Sequence, residues 1–223
     1  MNNGICAFCK KEIQKELILK HFSMCDKLLE SINKKKVEDS KTFNHFLLYV
    51  EDTYNPDFWL YLEMINSASF KELDKYLRAI WLECCGHLSH FAIGTNEYNS
   101  PQVKMSTRVY DVLPNESVLT YVYDYGTSSI LKIKVKSKRE GVPLTKHPIT
   151  LFARNVLPDF KCVKCGDLAK YYCVECNAED GNEGYICEKH KEHSHDDYGE
   201  PIEIINSPRL GMCGYDGPAK PPY

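Results

Sequence analysis

The stretch CAFCKKEIQKELILKHFSMC, residues 6 to 25, places Cys6 and Cys9 two residues apart, and His21 and Cys25 three residues apart. A Cys-x2-Cys turn offers two thiolates to one ion. Residues four apart on a helix lie on one face, one turn from each other. Together these four side chains make a complete tetrahedral donor set of the kind that holds a structural zinc and leaves no position for water. The competing reading is a redox Cys6/Cys9 pair with Cys25 as a small buried apolar residue. A redox pair of this spacing opens a helix after a strand, and no strand is expected before Cys6. A unit of about 36 residues has too little core to fold alone, so the ion is expected to supply the folding free energy.

A second group has the same chemistry. In chain order it offers Cys162, Cys165, Cys173, Cys176, Cys187, His190, His193 and His195. Four chelating pairs within about 35 residues would fill two tetrahedral sites. The alternative for His193 or His195 is a solvated surface histidine, and Cys213 in GMCGY competes for the last ligand position. A third candidate is CCGHLSH, with Cys84, Cys85, His87 and His90. It could form a thiolate–histidine pair for catalysis or a further metal site. The plainer reading is small sulfurs packed at a helix end.

The elements that must position these groups divide the chain into an N-terminal zinc finger at 1–36, a central α+β domain at 42–157, a C-terminal zinc-binding module at 158–216 and a tail at 217–223. Within the finger, apolar residues from Ile13 to Ile32 at spacings of three and four predict one helix over about 12 to 33, ending in Lys34, Lys35 and Lys36, where cations suit the helix dipole. In the central domain, HFLLYVED and DFWLYLEMI flank Asn55-Pro56 and read as a hairpin. Ser69 and Glu72 form a capping box for a helix whose apolar face carries Leu73, Leu77, Ile80, Trp81 and Cys84, with Gly86 stopping it. Leu119 to Tyr125 and ILKIKVKSKR alternate as strands. In the second, Ile133 and Val135 face one way and Lys132, Lys134, Lys136 and Lys138 the other, with Arg139 extending the basic stripe. That stripe, with Tyr121, Tyr123 and Tyr125 as stacking platforms if exposed, is the nucleic-acid-binding alternative. The plainer reading is a wet outer face with the tyrosines in the core.

The 223 residues carry 28 Lys and Arg against 31 Asp and Glu, for a formal net charge of −3. Such a balance argues against a protein coated in nucleic acid. No run of about 18 apolar residues and no signal-peptide pattern occurs, so a cytoplasmic location with no membrane partner is expected. There, eleven cysteines are expected to be thiols or metal ligands rather than disulfides.

Three resemblances add to this. The finger's spacing resembles a class of ubiquitin-binding zinc finger found in DNA-repair proteins, although the position two after the histidine, acidic in that class, is Ser23. The second cluster resembles B-box and RING-like modules, whose pairs cross-brace. The resemblance implies Cys162, Cys165, Cys187 and His190 on one zinc, and Cys173, Cys176, His193 and His195 on the other. The segments FLLYVEDTYNPDFWLYLEM, LDKYLRAIWLECCGHLSHF, YVYDYG, LFARN and INSPRLGMCGY resemble the plasmid pRiA4b ORF-three-like family, also labelled an insertion-element passenger protein, over about residues 42 to 216. This resemblance implies an α+β domain with a cysteine-rich tail, the finger being an addition; it implies no activity. The expectation is therefore a zinc-stabilised adaptor with about three ions, binding a protein partner without evident catalysis. A nucleic-acid binder using Lys132 to Arg139 and an enzyme using Cys84/His87 are the alternatives.

Overall fold

Phe46–Val50 and Trp59–Met64 are buried at every position, not at alternate ones. Both faces of the sheet that contains them must therefore be covered. The computed structural model describes all residues except 1, 39–40, 97–98, 114–117, 193–194, 196–198 and 221–223. It divides into two compact units, Met1–Arg78 with His87–Val156, and Ala79–Gly86 with Leu157–Tyr223. The architecture is α+β.

The strands of the first unit are β1 Asn3–Cys6, β2 Glu12–Gln14, β3 Phe43–Asp52, β4 Trp59–Ile65, β5 Ser89–Ile93, β6 Gln102–Val103, β7 Val118–Tyr123, β8 Ser129–Gly141 and β9 Ile149–Asn155. They form one nine-stranded sheet in the order β2-β1-β9-β4-β3-β8-β7-β5-β6, and every neighbouring pair is antiparallel. β3 and β4 are the hairpin around Asn55-Pro56, closed by Phe58 N–H donating to the Asn55 carbonyl at 3.0 Å.

The single helix predicted over 12 to 33 is instead four elements. β2 is followed by a 3-10 turn Lys15–Leu17, then α1 Ile18–Phe22 and α2 Asp26–Glu38. The break comes where Met24 N–H donates to the His21 carbonyl at 2.9 Å and Ser23 Oγ to the Lys20 carbonyl at 2.8 Å, tightening the last turn of α1. Lys35 and Lys36 do fall in the last turn of α2, which runs past the expected end to Glu38.

The N-terminal segment also does not stand on its own small core. β1 pairs with β9. Ile18, Phe22 and Leu28 are buried in one cluster with Leu47, Tyr49, Trp59, Tyr61 and Phe152 of the sheet. Phe22 meets Tyr61 and Phe152 edge-on, with ring centroids 5.5 and 5.4 Å apart. Gly4 makes the close approach possible, because a Cβ there would land on the Trp59 ring. The finger thus borrows its hydrophobic burial from the domain.

The opposite face of the sheet is covered by α3 Phe70–Leu77. Its capping box is present: Ser69 N–H donates to Glu72 Oε2 at 2.7 Å. Phe70 packs on Phe91, and Phe91 on Tyr121. Past Leu77 the chain enters a π-type turn, Arg78–Leu82, in which Ile80, Trp81 and Leu82 are buried; Cys84 lies beyond it, outside any helix. Asp74 on α3 is buried and accepts three kinds of donor: Arg78 Nε at 3.0 Å, Ser89 Oγ at 2.6 Å and Tyr121 OH at 2.7 Å.

At the end of β3, Asp52 accepts from the N–H groups of Tyr54 and Asn55. Burial raises its pKa from 3.8 to about 6 despite those donors. A carboxyl raised on folding favours the fold while neutral. That contribution is present below 3.8 and is lost as pH rises through about 6. Asp52→Asn keeps an acceptor for both N–H groups and cannot ionise. Denaturant midpoints of variant and wild type should be close at the acid end of this window, the variant gaining above it. A pH-independent difference between the two would refute the assignment.

The second unit has three two-residue strands, β10 Tyr171–Tyr172, β11 Tyr185–Ile186 and β12 Ile202–Glu203, in the order β11-β10-β12, and one short helix, α4 Val174–Ala178. One buried cluster in it is Cys162, Cys173, Cys176, Ile186 and Cys187, with Tyr171 packed against it; Ile80, Trp81, Leu82 and Tyr215 of the same unit are buried as well. Ser207 Oγ donates to the Trp81 carbonyl at 2.6 Å, which ties Ala79–Gly86 into this unit.

Candidate metal centres

Two Cys-x2-Cys segments fold into the same turn. In the first, Cys6 N–H donates to the Lys11 carbonyl and Lys10 N–H to the Cys6 carbonyl, both at 3.0 Å. In the second, Cys162 N–H donates to the Asp167 carbonyl and Gly166 N–H to the Cys162 carbonyl, both at 2.8 Å. The residue after the second cysteine is left-handed in both, Lys10 at φ 61 and Gly166 at φ 76. This turn points backbone N–H groups at sulfur. Burial works to raise the Cys162 thiol, but N–H groups of Cys187, Lys164 and Cys165, with the His190 side chain, outweigh it and bring it down to about 6. Cys6 feels the same kind of donors from Cys9 and Phe8, yet deeper burial pushes it up to about 11. A short strand, β1, does precede Cys6, against expectation. It leads into this turn and not into a helix, so the geometry is not that of a redox pair.

The third pair is built differently. Cys173 caps α4, its Sγ accepting from Cys176 N–H at 3.3 Å. Cys176 is pushed up to about 12 by burial and then by the neighbouring Cys173 sulfur. Crowded sulfurs that resist shared negative charge are relieved by a cation.

The structure brings Cys6, Cys9, His21 and Cys25 together, with all donor atoms within 4.8 Å of one another. Cys6 and Cys25 sulfurs are 3.9 Å apart, and Cys9 Sγ is 3.4 Å from His21 Nε2. Because α1 and α2 are separate, His21 lies in the last turn of one helix and Cys25 immediately precedes the next, so they do not share one helical face. Cys162, Cys165, Cys187 and His190 form a second set, with spacings of 3.6, 3.6 and 3.4 Å. Cys173, Cys176 and His195 form a third, with His195 Nδ1 3.2 Å from Cys176 Sγ and 3.9 Å from Cys173 Sγ. His193 lies outside the described residues. A tetrahedral ion with sulfur at about 2.3 Å has S···S edges near 3.8 Å, and a nitrogen at about 2.0 Å gives S···N edges near 3.5 Å. The observed spacings fit such an ion, and they exceed a disulfide's roughly 2.05 Å by far. Asp180 Oδ1 stands 3.9 Å from His195 Nε2, the ring nitrogen that does not face the sulfurs, too far for a direct hydrogen bond. These Cys/His clusters are suited to hold metal.

Cys213 joins none of these sets. Its sulfur is 3.7 Å from Cys85, and Cys85 is 3.7 Å from Cys84. The sequence could not show this, because 128 residues separate Cys85 from Cys213. His90 is buried with Nδ1 3.0 Å from the Tyr125 hydroxyl, and His87 Nδ1 is 3.4 Å from Asp124. Asp124 also serves its turn, accepting from Gly126 N–H at 3.0 Å.

The basic stripe is not one face. β8 carries a bulge opposite Leu47/Leu48, where Leu48 pairs with Val135 and Leu47 with Ser137, leaving Lys136 extra. Lys132 and Lys134 oppose Glu51 and Tyr49, whereas Lys138 opposes Phe46, on the other side of the sheet. Lys134 reaches Glu51 at 3.4 Å, and Arg139 is bound to the buried carboxylate of Glu63. Tyr121 and Tyr123 are fully buried; of the three tyrosines Tyr125 is exposed.

No protein-family model matches the chain, and no curated protein does. Among solved structures, a protein of unknown function from Methanosarcina mazei Go1 aligns over 48% of this chain and 68% of its own, at 16% identity and a TM-score of 0.41. Among the described residues no helix is long and apolar enough to cross a membrane.

Proposed function

We propose that this is a zinc-stabilised binding protein of the cytoplasm whose partner is another protein, and that its central domain is kin to the pRiA4b ORF-three-like family through segments such as FLLYVEDTYNPDFWLYLEM and INSPRLGMCGY. The observation that carries the reading is the pair of like-built Cys-x2-Cys turns, each meeting a distant Cys/His pair at tetrahedral spacing. All-nitrogen-and-sulfur sets of this composition suit zinc and are closed by protein, which is the mark of a structural ion. The partner surface is the finger. Leu17, Leu19 and Met24 are 49%, 40% and 59% exposed around the buried Ile18 and Phe22, and beside them a cavity of about 380 Å³ is lined by Leu19, Phe22, Leu28 and Ile32 together with Glu63, Lys136 and Arg139. The split lysine stripe and the buried tyrosines favour protein over nucleic acid.

Metal analysis by mass spectrometry should show one zinc fewer in Cys6→Ser and one fewer in Cys173→Ser. A photocrosslinker at Met24 should then capture discrete protein species, and Leu17→Glu should abolish capture with zinc content unchanged. Capture that is absent, or that persists in Leu17→Glu, counts against the finger as the docking surface. Salt-dependent binding of single-stranded DNA that disappears in Lys132→Glu/Lys134→Glu would replace the protein partner with a nucleic acid.

A further inference from the structure

Three sulfurs remain outside the three Cys/His centres, and all three belong to the second unit. Cys84 and Cys85 lie in Ala79–Gly86 and Cys213 near the C-terminal end. The two Sγ···Sγ spacings of 3.7 Å have the length of a tetrahedral edge around a metal and not of a disulfide. Cys213 is held at φ 53 and ψ 35, a conformation that a side chain other than Gly or Asn adopts reluctantly, between Gly211 at φ 81 and Gly214 at φ 68. In that turn a third glycine would be the easy choice; a cysteine there brings a thiol to Cys85. Arg209 supplies an independent sign of charge. Its side chain is fully buried and Nη2 donates to Cys84 Sγ at 3.5 Å.

We propose that Cys84, Cys85 and Cys213 form a further metal site, for a sulfur-seeking cation such as zinc, which fastens the segment Ala79–Gly86 to the turn at Gly211–Gly214. Binding forms three metal–sulfur bonds and releases any remaining thiol protons to solvent. Two of these three sulfurs, Cys85 and Cys213, are exposed, whereas the other three centres together have one exposed sulfur, Cys165. This ion is therefore the one a chelator reaches first.

The test is zinc stoichiometry and release on the full chain purified under reducing conditions. The expected result is four ions per chain, one of which passes to a chromogenic chelator in a distinct fast phase. Cys213→Gly is the decisive variant, because glycine suits the left-handed turn and the fold should accept it. It should bind three ions and lose the fast phase, and Cys85→Ser should do the same. A wild type that binds three ions, or a Cys213→Gly protein that keeps the full complement and the fast phase, overturns the proposal. Neither result touches the other centres, which Cys6→Ser and Cys173→Ser report separately.

Discussion

Removing metal with a strong chelator is expected to unfold the second unit and to leave the nine-stranded sheet of the first in place. The reason lies in what each unit has besides metal. In the second, the strands are two residues long, well under the length that makes a sheet stable by itself. Four of the five residues in the cluster that backs the small sheet are the proposed ligands Cys162, Cys173, Cys176 and Cys187, and the unit's other buried apolar residues, Ile80, Trp81, Leu82 and Tyr215, lie outside that sheet. Without an ion this cluster becomes a set of crowded thiols around Ile186. Structural zinc in such small modules supplies about 10–16 kcal/mol of apparent free energy at neutral pH, more than a whole small domain's net stability of about 5–15 kcal/mol. The first unit is different. Its finger shares a cluster with Leu47, Tyr49, Trp59, Tyr61 and Phe152, so loss of the ion should loosen residues before β3 and spare the sheet. Hydrogen exchange with and without chelator separates the two responses. Amides that bond within the small sheet, such as Cys173 N–H to the Gly184 carbonyl and Ile204 N–H to the Lys170 carbonyl, should lose protection at once. Those of β3, β4 and β8 should keep it. Retained protection around Tyr171–Tyr172 after complete removal of metal would mean that this unit folds by other forces. Acidification should reproduce the chelator's effect, since protons compete with the ion for sulfur and imidazole.

The donor sets were legible because chelation leaves a mark at short range: two residues between cysteines is a turn's length, and that turn was found in both places. Hairpin β3–β4 and the Ser69/Glu72 capping box were legible for the same reason, being local patterns. What the sequence hid depends on distant partners. Phe46–Val50 reads as a strand, but nothing in it says that α3 covers one side and the finger the other. The helix expected over 12 to 33 has a continuous apolar spacing, yet the first three residues are claimed by pairing of β2 with β1 and the rest is bent at Ser23. Lys132 to Lys138 alternate without fault in the sequence. The bulge that sends Lys138 to the opposite side is set by the register with β3, and a single inserted residue reverses every side chain beyond it. Cys213 drew attention as a spare ligand for the wrong cluster, since its partners Cys84 and Cys85 are near it in space alone.

Asp74 is the residue whose importance no motif announced, and its removal is expected to be the costliest single substitution in the first unit. It sits one turn before Arg78 on α3 and is 9% exposed. Arg78 Nε donates to both its oxygens at 3.0–3.1 Å, Ser89 Oγ from β5 and Tyr121 OH from β7 add two more bonds, and Arg78 stacks over the Tyr123 ring at 4.7 Å. The carboxylate therefore ties α3 to two neighbouring strands by charge-assisted bonds. Burial and the Asp74 charge hold the Tyr121 hydroxyl well above its ordinary pKa, so it stays a donor at any pH the protein meets. Asp74→Ala deletes the acceptor, so that the Arg78 guanidinium loses its carboxylate while keeping the His87 carbonyl and Ser89 Oγ, and a buried phenol loses its partner. Removing one partner of such a network costs about 3–5 kcal/mol. Tyr121→Phe takes away only one neutral donor and should cost about 1 kcal/mol. Asp74→Asn keeps one carbonyl oxygen for Tyr121 and Ser89 but turns an amide toward Arg78, and should fall between the two. Denaturant midpoints at unchanged slope give the order directly. If Asp74→Ala costs no more than Tyr121→Phe, then α3 is held to the sheet by Phe70, Leu73 and Leu77 alone, and the carboxylate is a passenger on a contact made by oil.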